Sequence, residues 1–115
     1  MKRLLPVLIL IFLGLSSVEA TIYCPSKTTA YKNSIVFVGR ITDLGNDSLA
    51  KVWFEYGETK SKLRKTRYLL KNQTGIYCLQ IKNLQPCRNY YYRAAIANKV
   101  GNSYGELKEI KTPCY

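Results

Sequence analysis

The sequence predicts an all-β domain, an antiparallel sandwich or barrel, and three observations carry that expectation. Beyond residue 20 no helical periodicity of useful length occurs. Instead, short runs rich in Val, Ile, Tyr and Phe alternate with clusters of Gly, Asn, Asp and Pro, which is the spacing of strands and turns. Four cysteines, Cys24, Cys78, Cys87 and Cys114, stand in a short chain that has no CxxC pair and no histidine. They read as two disulfides of an exported domain rather than as a metal site.

Residues 1–20 precede this domain. Lys2 and Arg3 open the chain, an apolar stretch runs from Leu4 to Leu15, and Val18-Glu19-Ala20 places small residues where a signal peptidase cuts. That is the layout of a secretory signal peptide, and the apolar stretch is shorter than the roughly 20 residues a membrane-spanning helix needs. The expected organisation is therefore a signal peptide, 1–20, and one secreted domain, 21–115. Without Lys2, Arg3 and Glu19 the domain keeps 16 basic and 6 acidic side chains, a net charge of +10. Such a surface attracts anionic polymers and membranes electrostatically without choosing a partner.

Seven strands are expected in order. The first lies near Cys24 to Tyr31. The second is "SIVFVGRI", Ser34 to Ile41, followed by the turn "TDLGND". The third is "AKVWFEYG", in which Val52, Phe54 and Tyr56 share one face and Lys51, Trp53 and Glu55 the other. The basic stretch "KSKLRKTRYLL" forms an edge strand with loops. "NQTG" turns the chain into "IYCLQIKNL", after which come "NYYYRAAIAN", the turn "KVGN" and a last strand "SYGELKEIKT".

Several of these segments resemble the fibronectin type III domain, in particular its microbial secreted form. "LQPCRNY" fits the L-x-P-x-x-x-Y pattern of the E–F corner through Leu84, Pro86 and Tyr90, and "YYYRAAIANKVGNSYGE" is similar to the strand F–strand G stretch. "VWFEYGET" looks like strand C, and "IVFVGRITDLGND" like strand B and its turn. The resemblance spans roughly residues 34–112. Phe37 replaces a common tryptophan, Ile96 a common alanine, and the cysteines are additional; no RGD is present to suggest integrin binding. The resemblance implies a seven-stranded immunoglobulin-like sandwich with sheets A-B-E and C′-C-F-G. In that topology Cys24 and Cys78 share one pole and Cys87 and Cys114 the other. Of three connectivities it implies Cys24–Cys78 with Cys87–Cys114.

The same resemblance assigns roles. Tyr90 becomes the tyrosine of the E–F corner, bonded back to upstream backbone, and Tyr92, two residues on, packs the core. Tyr91 and Arg93 then point outward. Because strand F lies beside strand C, Trp53, Tyr91 and Arg93 should cluster on the outer face, flanked by Glu109 and Lys111. Such residues are enriched at binding hot spots. The alternative is a self-satisfied ladder in which Arg93 lies over Trp53 as a cation–π pair.

The run Lys60, Lys62, Arg64, Lys65 and Arg67 is a candidate polyanion grip, or else a charged edge that discourages sheet-to-sheet aggregation. Asn46 in "NDS" and Asn72 in "NQT" are candidate glycosylation sites in turns. No catalytic constellation is visible. The lack of histidine excludes Ser-His-Asp chemistry as usually built, and Asp43, Asp47, Glu55, Glu58, Glu106 and Glu109 form no predicted inward-facing pair. The expectation is a secreted, non-catalytic module with no cofactor and no metal, binding a protein or glycan at the cell surface or in the extracellular matrix. A self-assembling structural subunit, or a cationic binder of anionic envelope polymers, is the alternative. No specific nucleic-acid partner is expected.

Overall fold

A computed structural model describes residues 23–115; the expected signal peptide lies outside the described residues. The described chain contains nine strands: β1 (Thr29–Tyr31), β2 (Ser34–Ile41), β3 (Ala50–Thr59), β4 (Lys62–Lys65), β5 (Leu69–Lys71), β6 (Gly75–Ile81), β7 (Asn89–Ala97), β8 (Asn102–Tyr104) and β9 (Lys108–Lys111). They form a three-stranded sheet, β1-β2-β6, and a six-stranded sheet in which β4 and β5 flank one side of β3, β7 the other, and β8 and β9 pair with the far side of β7. All pairings are antiparallel.

Nine strands stand where seven are expected, because two expected strands are interrupted. In the basic stretch the break falls at Thr66. Its hydroxyl accepts the Phe54 N–H at 3.0 Å and its own N–H donates to the Phe54 carbonyl at 2.8 Å, so a side chain takes a ladder position and the strand bends away. In the last expected strand the break follows Tyr104, where Gly105 N–H donates to Ala94 O at 2.8 Å before the chain leaves the ladder and rejoins at Lys108. The first strand is shorter than expected, yet its approach is ordered: Val38 N–H donates to the Thr28 hydroxyl at 2.9 Å.

Strict alternation fills the space between the sheets. Ile35, Phe37 and Ile41 from β2, Val52 and Phe54 from β3, Tyr77 and Leu79 from β6 and Tyr90 from β7 form the buried cluster, with Tyr56, Tyr92, Ala94 and Ile96 packed against it. Phe37 is the hub: its ring centroid lies 5.5 Å from that of Phe54, 5.6 Å from Tyr56 and 5.2 Å from Tyr92, the tilted and offset range in which aromatic pairs attract. Gly39 is required by close approach, since a Cβ there would sit 2.7 Å from the Tyr77 ring.

Two disulfides pin the sandwich, Cys24–Cys78 and Cys87–Cys114. Such bonds form and persist in oxidising compartments. The second closes a larger knot. Cys87 N–H donates to the Thr112 and Pro113 carbonyls, both at 3.1 Å. Thr112, fully buried, donates from its hydroxyl to Gln85 O at 2.7 Å and accepts from Arg88 N–H at 3.0 Å. The turn between β6 and β7 is thereby fastened to the end of β9.

Candidate site on the outer face of the larger sheet

With Val52, Phe54 and Tyr56 facing the core, Lys51, Trp53, Glu55 and Gly57 must face outward, and β7 sends Tyr91, Arg93, Ala95 and Ala97 the same way. Register then fixes the neighbours. Trp53 lies opposite Ala95, Glu55 opposite Arg93 and Gly57 opposite Tyr91. On the flanks Lys65 stands opposite Glu55, Tyr104 opposite Ala95 and Glu109 opposite Tyr91. The three expected residues, Trp53, Tyr91 and Arg93, thus occupy three adjacent rungs of one face.

Their arrangement differs from the expectation in two respects. Trp53 is not an exposed platform; it is only 6% exposed. The small Ala95 opposite leaves room for the indole, its N–H donates to Glu55 Oε2 at 3.1 Å, and the Lys65 ammonium lies 5.7 Å over its ring. Nor does Arg93 cover Trp53. Its Nε and Nη2 donate to Glu55 Oε1 at 3.1 and 2.8 Å, and its guanidinium stacks 4.1 Å above the Tyr104 ring. The reason is electrostatic: a buried carboxylate directly opposite an arginine takes its fork before a neutral ring can.

Glu55 is therefore the centre of the face, 6% exposed and accepting three hydrogen bonds. Burial pushes its pKa up, but the bonds from Trp53 and Arg93 and the charges of Arg93 and Lys65 outweigh burial and leave it below the usual carboxylate value. Around it, cations and rings pair diagonally across strands, within the reach of long side chains. Besides Lys65 on Trp53 and Arg93 on Tyr104, Lys60 lies 5.5 Å over Tyr91 and Lys51 4.8 Å over Tyr68. Tyr91 is half-buried, and Tyr68 and Tyr104 are exposed.

Sequence reasoning missed Glu55, Tyr68 and Tyr104 as members. Glu55 carried a usable signal, since it shares parity with Trp53 two residues away. Tyr104 did not, because the break at Gly105 hides its register.

The remaining expected residues fall as follows. Tyr90 is buried, and its hydroxyl accepts the Gln85 N–H at 3.1 Å, a bond back to upstream backbone. Tyr92 and Leu84 pack against the core, and Pro86 is half-buried. The basic run divides: Lys60 and Lys65 lie on the outer face, whereas Lys62 and Arg64 border a groove on the other side of β4; Arg67 is exposed. Asn46 and Asn72 are both exposed, Asn46 with a left-handed backbone (φ 67°). Among the described residues no group of three or more His, Cys, Asp or Glu side chains is placed to hold a metal ion, and no helix is long and apolar enough to cross a membrane.

No family model matches the chain, and no curated protein matches it. Solved structures do. The solution structure of the sensor domain of the anti-sigma factor RsgI4 in Pseudobacteroides cellulosolvens superposes with a TM-score of 0.61 at 18% identity, covering 76% of this chain and 71% of that one. A shorter form of the same sensor domain gives a TM-score of 0.59 at 18% identity, over 77% of this chain and 93% of its own. At that identity the likeness is one of fold: the chain is a two-sheet all-β sandwich with two disulfides, built like those sensor domains.

Proposed function

We propose that this chain is an extracellular, non-catalytic binding domain of fibronectin type III-like type, which presents the outer face of its six-stranded sheet to a protein or glycan at the cell surface. The observation that carries this reading is the cation–aromatic layer on that face. Tyr91, Tyr104 and Arg93 are accessible there, and the bonds of Arg93 to Glu55 hold the layer in place before any partner arrives. Ordered tyrosine and arginine side chains lose little conformational freedom on binding, which is why they concentrate in hot spots. Trp53 supports this layer from beneath and is not itself the contact.

Other features favour the same reading. The solved domains of similar fold are named as sensor domains. The disulfides fit an oxidising compartment, as does the leader-like start of the sequence. The Tyr90–Gln85 bond is the one expected of a type III E–F corner. The chain has no histidine for acid–base chemistry at neutral pH. The test is to present the folded protein to arrays of glycans and of extracellular proteins, then repeat any hit with Tyr91→Ser and Tyr104→Ser. Loss of the hit with intact folding supports the proposal. Hits that survive both substitutions place binding elsewhere.

A further inference from the structure

Lys62 and Arg64 of the basic run meet a basic side chain, Lys82, that lies far from them in sequence. β4 and β6 are each the edge strand of their own sheet, and the sandwich is open between them. In that opening runs a groove of about 520 Å³, bordered by Lys62 and Arg64 on the β4 wall and by Lys82, Asn83 and Gln85, which follow β6, on the other. The Gly57 backbone, at the irregularity between β3 and β4, also lines it, and a Cβ there would collide with the Lys62 carbonyl.

The charge of this groove is uncompensated. Lys62, Arg64 and Lys82 make no ion pair among the described residues, and Glu58, the acid on the rim, is held by Arg88 at 3.0 Å. Three cations brought to one groove from two sheets concentrate positive potential more than the same charges scattered over a surface, because a cleft focuses the field. The neutral polar groups of the lining include the amides of Asn83 and Gln85 and the Thr59 hydroxyl, beside the apolar Leu84. The two rings that border the groove, Tyr56 and Tyr90, are packed into the core. Tyr90 is buried and Tyr56 half-buried, so the groove lacks the exposed stacking platforms on which single-stranded nucleic acid binding relies.

We propose that this groove binds an acidic polysaccharide, with carboxylate or sulfate groups on Lys62, Arg64 and Lys82 and sugar hydroxyls on Asn83 and Gln85. The site is separate from the outer face and does not depend on the reading given to that face.

Calorimetry with an oligouronate, an oligosulfated glycan, a neutral oligosaccharide of equal length and a single-stranded oligonucleotide of equal charge tests this. At least one of the two acidic glycans should bind and the neutral one should not. The triple variant Lys62→Gln/Arg64→Gln/Lys82→Gln should weaken acidic-glycan binding at least about tenfold. The charge-matched variant Lys27→Gln/Lys32→Gln/Lys108→Gln should change it by less than about twofold. Single Gln substitutions, each a solvent-exposed change, cover the case of a triple variant that fails to fold, and each should weaken binding severalfold. Equal losses in the two triple variants would reduce the effect to net charge and overturn the site. So would an oligonucleotide that binds as tightly through the same three residues, or acidic glycans that do not bind at all.

Discussion

Replacing Glu55 is the perturbation whose consequences follow most directly from the geometry. Its carboxylate accepts the Trp53 indole N–H and two bonds from Arg93, and it is almost wholly buried. Glu55→Ala strands a buried indole N–H, at a cost of about 1–3 kcal/mol. It also unpairs Arg93. Because the Arg93 side chain is a third exposed, it can turn to water, so this part is discounted to about 1 kcal/mol. The sum is a loss of about 2–4 kcal/mol. Glu55→Gln keeps the shape but has one acceptor oxygen for two donors, and should lose about 1–2 kcal/mol.

The pH dependence has a definite sign. The folded-state pKa of Glu55 lies below its usual 4.5. Its contribution is therefore fully present above the unfolded value and disappears as pH falls through the folded one. Urea unfolding followed by circular dichroism, at neutral pH and through the acid range, measures both effects. Trp53, the only tryptophan, serves as a local fluorescence reporter. The wild type should lose stability on acidification below about 4.5 with a steeper slope than Glu55→Gln. If Glu55→Gln matched the wild type in stability at neutral pH and in its acid slope, the carboxylate would not be the centre of the face.

The other predictions concern the fold that carries this face. Thr112→Val preserves volume but removes the bonds to Gln85 O and from Arg88 N–H, and should lower unfolding free energy by about 1–3 kcal/mol in the same urea assay. Tyr90→Phe leaves the Gln85 N–H without its acceptor and should cost about 1–2 kcal/mol, whereas Tyr91→Phe should be nearly neutral. Replacing Cys87 and Cys114, or Cys24 and Cys78, with Ala should cost about 3–4 kcal/mol per pair, slightly more for the second pair because its loop is longer. Burial pushes the Tyr77 phenol up to about 12, opposed by a backbone hydrogen bond at Ala95. Its neutral form stabilises the fold below the ordinary value of 10.0, and that stability is lost as pH rises toward 12, which alkaline titration by ultraviolet absorbance can follow.

The sandwich was legible because burial on one face imposes a period of two, and "SIVFVGRI", "AKVWFEYG" and "NYYYRAAIA" state that period plainly. The tyrosine-corner resemblance set which face of "NYYYR" is inward, parity then divided Tyr90 and Tyr92 from Tyr91, and the structure packs Tyr90 and Tyr92 with the core. Parity also gave the face of Trp53, but not its exposure. Outward-facing and exposed are different properties, and a large ring beside Ala95 with a carboxylate two residues away can be covered by its neighbours. That covering depends on which cation stands where, and register across β4 is not written locally: Thr66 interrupts the ladder with its own hydroxyl. The same interruption hid the division of the basic run into two surfaces. The groove at Lys82 was illegible for a different reason, since it joins edges of two sheets that no local pattern brings together.

The most direct test of the functional account is a titration of the folded, disulfide-bonded protein with a ligand found on the arrays, followed by amide chemical-shift mapping. The account predicts shifts concentrated on β3, β7 and β8 around Tyr91, Arg93 and Tyr104, with Tyr91→Ser abolishing them and leaving the fold intact. Shifts confined to the three-stranded sheet, or undiminished by Tyr91→Ser, would contradict it.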